Sequence, residues 1–174
     1  MKKLLPPISI SLVALYFLIQ STHEPYTSIL SSVNLIFHES GHAIIFFLGS
    51  FMQILGGSIM QILIPTIFVI YFFAKQKRYE TALLSLWVAD NFFNVSTYAG
   101  DAIKMQLPLL GDLGPESHDW FNILNSLNLL KYTQFIANTI HFIGILIILL
   151  VLLFCWKIYF DTKKDLNEKQ VIVD

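Results

Sequence analysis

Five apolar blocks, about 4–21, 28–48, 55–74, 80–100 and 133–156, divide the chain. Each comes close to the roughly 20 residues that a helix needs to cross a bilayer. Blocks of that length leave little choice of architecture. They predict an all-α, polytopic membrane helix bundle of about five transmembrane helices with one long interfacial loop. The composition agrees: 55% of the 174 residues are hydrophobic and only 13% charged, with fifteen phenylalanines and a mean hydropathy of +0.64. A soluble domain carries about 25% charged residues. The expected surroundings are therefore the lipid bilayer, and the expected location is integral and multi-pass.

The connections are short except for the loop 101–132, where Pro and Gly mark turns and "HDWFNILNSLNLL" has the pattern of an amphipathic helix lying at the interface. Residues 1–160 read as a single domain and 161–174 as a short charged tail. The first block follows Met1-Lys2-Lys3 as a signal peptide would, but no small-residue cleavage site comes after it, so it reads as a retained span. Five spans would put the N-terminus, the 49–54 turn and the 101–132 loop on one face. The 22–27 turn, the 75–79 turn and the C-terminal tail would lie on the other. Lys75, Lys77, Arg78, Lys157, Lys163, Lys164 and Lys169 favour a cytoplasmic C-terminus, and Lys2 and Lys3 stand against it, so the absolute orientation stays open. A net charge of −1 gives no hint of a nucleic-acid partner, and no basic tract looks like a phosphate-binding surface, so none is expected. Cys155 is the only cysteine, so no intrachain disulfide forms.

Inside the second block stands "IFHESGHAII", in which His38-Glu39-Ser40-Gly41-His42 is an HExxH pattern. Positions i and i+4 share a helix face, so both imidazoles can reach one metal ion, with Glu39 beside its open position. Zn²⁺ is the ion this pattern suits: it lowers the pKa of a bound water, and the glutamate takes the proton as the water attacks a carbonyl. The plain alternative is a pair of histidines packed between helices as hydrogen-bonding partners. That alternative must also account for a carboxylate within a span, where each ionisable group costs about 2.5–3.5 kcal/mol.

A hydrolytic zinc site needs a third protein ligand. Asn91, Asn94, Tyr98 and Asp101 form one helical stripe in the fourth block, ending with Asp101 at the loop side. His118 and Asp119 in "SHDW" are rivals, because the loop covers the same end of the His38/His42 helix, and Trp120 suits an interfacial anchor. Gln61 is a buried amide placed to hold a substrate backbone, and Gly56 and Gly57 allow close helix approach. His141, in line with Gln134 and Asn138, reads as a packing or supporting residue.

On these residues the chain resembles the site-2 protease family of intramembrane zinc metalloproteases, over about 34–102. "HESGHA" matches the family's HExGH, which implies His38 and His42 as zinc ligands and Glu39 as the catalytic base. "GGSIMQ" stands in the order of a family segment of small residues ending in asparagine. "NVSTYAGDA" stands where the family has an asparagine, a proline-containing stretch and Leu-Asp-Gly, which implies Asp101 as third ligand and Asn94 as a substrate-positioning amide. The chain departs from that pattern: no proline separates Asn94 from Asp101, Gly100 and Ala102 flank the aspartate, and the spacing is one residue short. The branch is divergent, and His118 or Asp119 keeps room at the metal. The resemblance implies hydrolysis of a peptide bond within or beside the bilayer, in a transmembrane or juxtamembrane protein segment. The same residues also suit a metal-binding transporter or sensor, a non-catalytic scaffold with a retained motif, or a zinc hydrolase of non-peptide substrates.

Overall fold

The computed structural model describes residues 4–108, 114 and 117–173, with side chains to residue 164. Among them are helices and turns and no strand. The helices are α1 (Leu5–Gln20), α2 (Ser31–Ile45), α3 (Ser50–Ala74), α4 (Arg78–Gly100), α5 (Asp119–Ser126) and α6 (Thr133–Val173). Pro6 and Pro7 fall in the first turn of α1, where the missing N–H has no helical partner to lose. A 3-10 turn, Phe46–Leu48, and Gly49 at φ 95° lead from α2 into α3. A second 3-10 turn, Leu130–Tyr132, leads into α6.

Two helices, α3 and α6, are each long and apolar enough to cross a membrane. The other three expected spans differ. α1 is apolar but has 16 residues, α2 has only 15, and α4 is interrupted by Asp90, Asn91 and Asn94. α6 also continues through the charged segment after 160 as helix, where the sequence suggested a separate tail.

Side-chain contacts fix the helix directions. Ser96 donates to the Ala137 carbonyl (2.9 Å), while Leu86, Ala82, Ile148, Val151 and Cys155 share one apolar core, so α4 and α6 run antiparallel. Trp156 Nε1 donates to Ser11 (3.2 Å), whereas Ser21–Pro25 share a cavity of about 660 Å³ with Ala137 and His141. α1 is therefore antiparallel to α6 and parallel to α4. This corrects the parity expectation. The same cavity is lined by Asp101 and Lys104, so the α1–α2 connection lies at the end of the bundle where the 101–132 loop begins.

The connection then turns inward. The Tyr26 N–H donates to Thr97 Oγ1 (3.2 Å) and its hydroxyl to Asp90 (2.5 Å), and the Ile29 N–H donates to the Tyr16 hydroxyl (3.0 Å). α2 starts from that depth, with Asn34 on Asp90 (2.6 Å), and climbs along α3. Gly41 and Gly56 put the two backbones in contact: a Cβ on Gly41 would lie 2.2 Å from the Gly56 carbonyl oxygen. That closeness lets residues of α3 reach the histidine face of α2.

Candidate metal centre

His38 and His42 lie one turn apart on α2, and their rings meet edge to face with centroids 4.9 Å apart. Both Nε2 atoms point at one carboxylate oxygen, Asp119 Oδ2, at 2.9 Å from His38 and 3.2 Å from His42. One donor atom from each of the three residues lies within 4.8 Å of the others, the spread that a single ion can bridge.

The ring orientations are set by partners that can only accept. His38 Nδ1 lies 2.8 Å from Gln61 Oε1. Gln61 is held in that sense because its Nε2 donates to Asn91 Oδ1 (3.2 Å) and Asn94 Oδ1 (3.1 Å), and Asn91 in turn donates to the Trp87 carbonyl (2.9 Å). His42 Nδ1 lies 2.8 Å from the Gln53 carbonyl oxygen. A carbonyl oxygen has no hydrogen to give, so both Nδ1 atoms carry a proton, and in the neutral rings both Nε2 atoms then present lone pairs. Two lone pairs and a carboxylate thus converge on one point. Neutral imidazoles leave that set of acceptors without a hydrogen to share, and a cation resolves it. Hydrogen-bonding the far ring nitrogen in this way is how metal-binding histidines are commonly oriented.

Gly57 keeps the place open. A Cβ there would lie 2.6 Å from His38 Nε2 and 2.7 Å from His42 Nε2, so any larger residue would crowd the donor atoms.

Asp119 is delivered by α5. His118 caps that helix, its Nδ1 accepting the Phe121 N–H (3.3 Å). Asp119 opens the first turn, where the helix dipole favours an anion. The Asp119 N–H donates to the Tyr98 hydroxyl (3.1 Å), and Trp120 Nε1 donates to Ser58 on α3 (3.1 Å). Burial alone would raise the Asp119 carboxyl, but the His38 and His42 rings, when protonated on Nε2 as well, donate to it and hold it below the usual carboxylate range.

Asp101 stands elsewhere. Its carboxylate accepts the N–H groups of Gln106 (3.1 Å) and Leu107 (2.8 Å), closing the turn after α4. Its other neighbour is the fully buried His118, whose Nε2 is 3.4 Å away. Burial pushes that imidazole below its ordinary pKa, against the pull of Asp101. The structure therefore brings Asp119, from the rival loop pair, to the position expected of Asp101. Trp120 is buried against Ser58 rather than exposed as an interfacial anchor. Gln61 is committed to His38, Asn91 and Asn94, and Asn94 is half-buried and accepts from it through Oδ1. His141 packs on the Phe93 ring, away from the centre. Glu39 is exposed on α2 beside His38 and has no hydrogen-bond partner among the described residues.

A second polar cluster escaped the sequence reading: Asp90, Asn34, Tyr26 and Trp87, with Asp90 and Asn34 fully buried. Its only signal was a further carboxylate in "VADNFFN", next to a residue of the polar stripe. Compared with protein-family models, curated proteins and solved structures, the chain matches none.

Proposed function

We propose that the chain is a membrane-embedded zinc metallopeptidase that hydrolyses a peptide bond within or beside the bilayer. The observation that carries the reading is the convergence of the His38 and His42 Nε2 lone pairs on Asp119, with both tautomers set from behind. Two imidazoles and one carboxylate are a donor set of catalytic zinc sites, which keep a further position open. When bound, zinc would supply Lewis acidity for the activation of water.

Glu39 supplies the proton handling. Its exposed carboxylate, with no hydrogen-bond partner among the described residues, takes a proton from the attacking water and returns one to the leaving amine nitrogen. A C–O bond forms, the C–N bond breaks, and the substrate's nitrogen leaves as an amine. The match of "HESGHA" to the site-2 protease motif supports the same roles.

The membrane reading rests on an inside-out distribution of side chains. His38, Gln61, Asp90 and Asn91 are buried, while Leu12, Ile36, Ile70, Phe135 and Leu153 are each more than half exposed. In water such a surface would be an aggregation liability, whereas in lipid it is the expected outside. The substrate we infer is a transmembrane or juxtamembrane segment, locally unwound so that a carbonyl is accessible.

Glu39→Gln tests the reading. In protein purified in detergent, the variant should keep about one zinc per chain while cleavage of a membrane substrate falls by about 10²–10⁴-fold. Undiminished cleavage would remove the peptidase assignment, and a transporter or sensor would tolerate the change. Wild-type protein without metal would remove the zinc.

A further inference from the structure

In the membrane-embedded chain proposed above, on which this inference rests, the contacts of the segment before α2 fix how α2 sits in the bilayer. Ser21–Pro25 line the same cavity as Asp101 and Lys104, at the end of the bundle where α4 finishes and α6 begins. Nine residues later the chain is deep inside: Asn34 and the Tyr26 hydroxyl both donate to Asp90. Asp90 is twelve residues from Arg78 and ten from Gly100, the two ends of α4, or roughly 18 and 15 Å along the axis. Trp87 Nε1 donates to Asn34 Oδ1 (2.8 Å), so the first turn of α2 is level with Trp87, nine residues and roughly 14 Å short of Arg78. From there α2 returns to the end it came from, with His42 on the Gln53 carbonyl near the start of α3.

We propose that residues 21–45 form a re-entrant element, entering and leaving the membrane on one face and pinned at mid-depth by Asp90. The chain then crosses four times, through α1, α3, α4 and α6. The N-terminus, the α3–α4 turn and the C-terminal end of α6 share one face. The 101–132 loop, the cavity and the mouth of the metal centre share the other. Non-helical backbone at membrane depth is admissible where protein encloses and pairs it, as Thr97 and Tyr16 do for the Tyr26 and Ile29 N–H groups.

The charges supply an independent check. Five crossings divide the basic residues inconsistently, because Lys2 and Lys3 fall opposite Lys75, Lys77 and Arg78. Four crossings with a re-entrant α2 bring Lys75, Lys77, Arg78, Lys157, Lys163 and Lys164 to the face where α1 begins and leave Lys104 and Lys131 on the other. The excess marks the cytoplasmic face. Water and substrate therefore reach the metal centre from the non-cytoplasmic side.

Single cysteines at Thr22, Lys77 and Lys104, and at Lys2, in a Cys155→Ser background, test this with a membrane-impermeant maleimide on intact cells. Thr22→Cys and Lys104→Cys should label from outside, and Lys77→Cys and Lys2→Cys only after permeabilisation. His23→Cys repeats the Thr22 test at a neighbouring exposed site. Labelling of both Thr22→Cys and His23→Cys together with Lys77→Cys, opposite Lys104→Cys, would overturn the re-entrant element while leaving the protein in the membrane. Release of the wild-type chain by alkaline carbonate would overturn the membrane reading itself, and this proposal with it.

Discussion

Asp90 and Asn91 are neighbours on α4, yet they anchor polar networks of opposite kinds. In the first, Asp90 accepts from Tyr26 and Asn34, and Asn34 accepts from Trp87. Each of these acceptors meets a donor, and no lone pairs gather at a common point. In the second, Asn91 and Asn94 hold Gln61, Gln61 holds His38, and the chain ends in two imidazole lone pairs facing a carboxylate. Both are buried within the same bundle, so burial alone does not distinguish them. The acceptors left over do: the first network is complete as a joint, and the second, with neutral imidazoles, leaves acceptors that a cation could bridge.

The comparison is broken most sharply at Asp119. If it holds the ion directly, Asp119→Asn should weaken zinc retention by more than about 100-fold, beyond the 10–100-fold that loss of a ligand's partner costs. Dialysis against graded chelator measures it, and retention equal to wild type would return the role to another residue. Next comes Gln61→Leu, which leaves all three donor atoms in place but frees the His38 tautomer. Zinc affinity should fall by about 10–100-fold, and a variant that binds as tightly as wild type would show that the amide does not orient the ring.

At Asp90 the expected effect on metal affinity vanishes, and the effect on stability appears instead. Asp90→Leu strands the Tyr26 hydroxyl and the Asn34 amide, at about 1–3 kcal/mol for each buried group left unpaired. The folded fraction should still bind one zinc per chain. Loss of zinc from correctly folded Asp90→Leu protein would mean the two networks are one. The smallest change is expected from Asp101→Asn, which keeps an acceptor for one of the Gln106 and Leu107 amides and should leave zinc content unaltered. Chelator sensitivity matching that of Asp119→Asn would put Asp101 at the ion.

Much of the centre was legible in the sequence because helical spacing is a local rule. His38 and His42 are four residues apart, and any helix puts them on one face. The third donor was not decidable, since Asp101 and Asp119 compete through the path of a loop. The outcome depends on where the amides of Gln106 and Leu107 find an acceptor. The half-depth start of α2 was hidden for another reason. Block 28–48 has bilayer length and bilayer hydropathy, and neither property records depth. What fixes the depth is Asp90, a residue in another block, whose need for hydrogen bonds draws Tyr26 and Asn34 inward.

The hydrogen bond between Trp120 and Ser58 has a consequence for the thermodynamics of metal uptake. His38 and Asp119 are 81 residues apart in the chain, and an ion that had to bring them together would work against the entropy of closing that loop. The indole and the Tyr98 hydroxyl already fasten α5 to α3 and α4, so that entropy is lost during folding and not on binding. On the function proposed, zinc would meet donors already brought together by folding, with little further ordering of the chain to offset its binding. Calorimetric titration of metal-free protein should accordingly show little of the heat-capacity change that accompanies coupled folding.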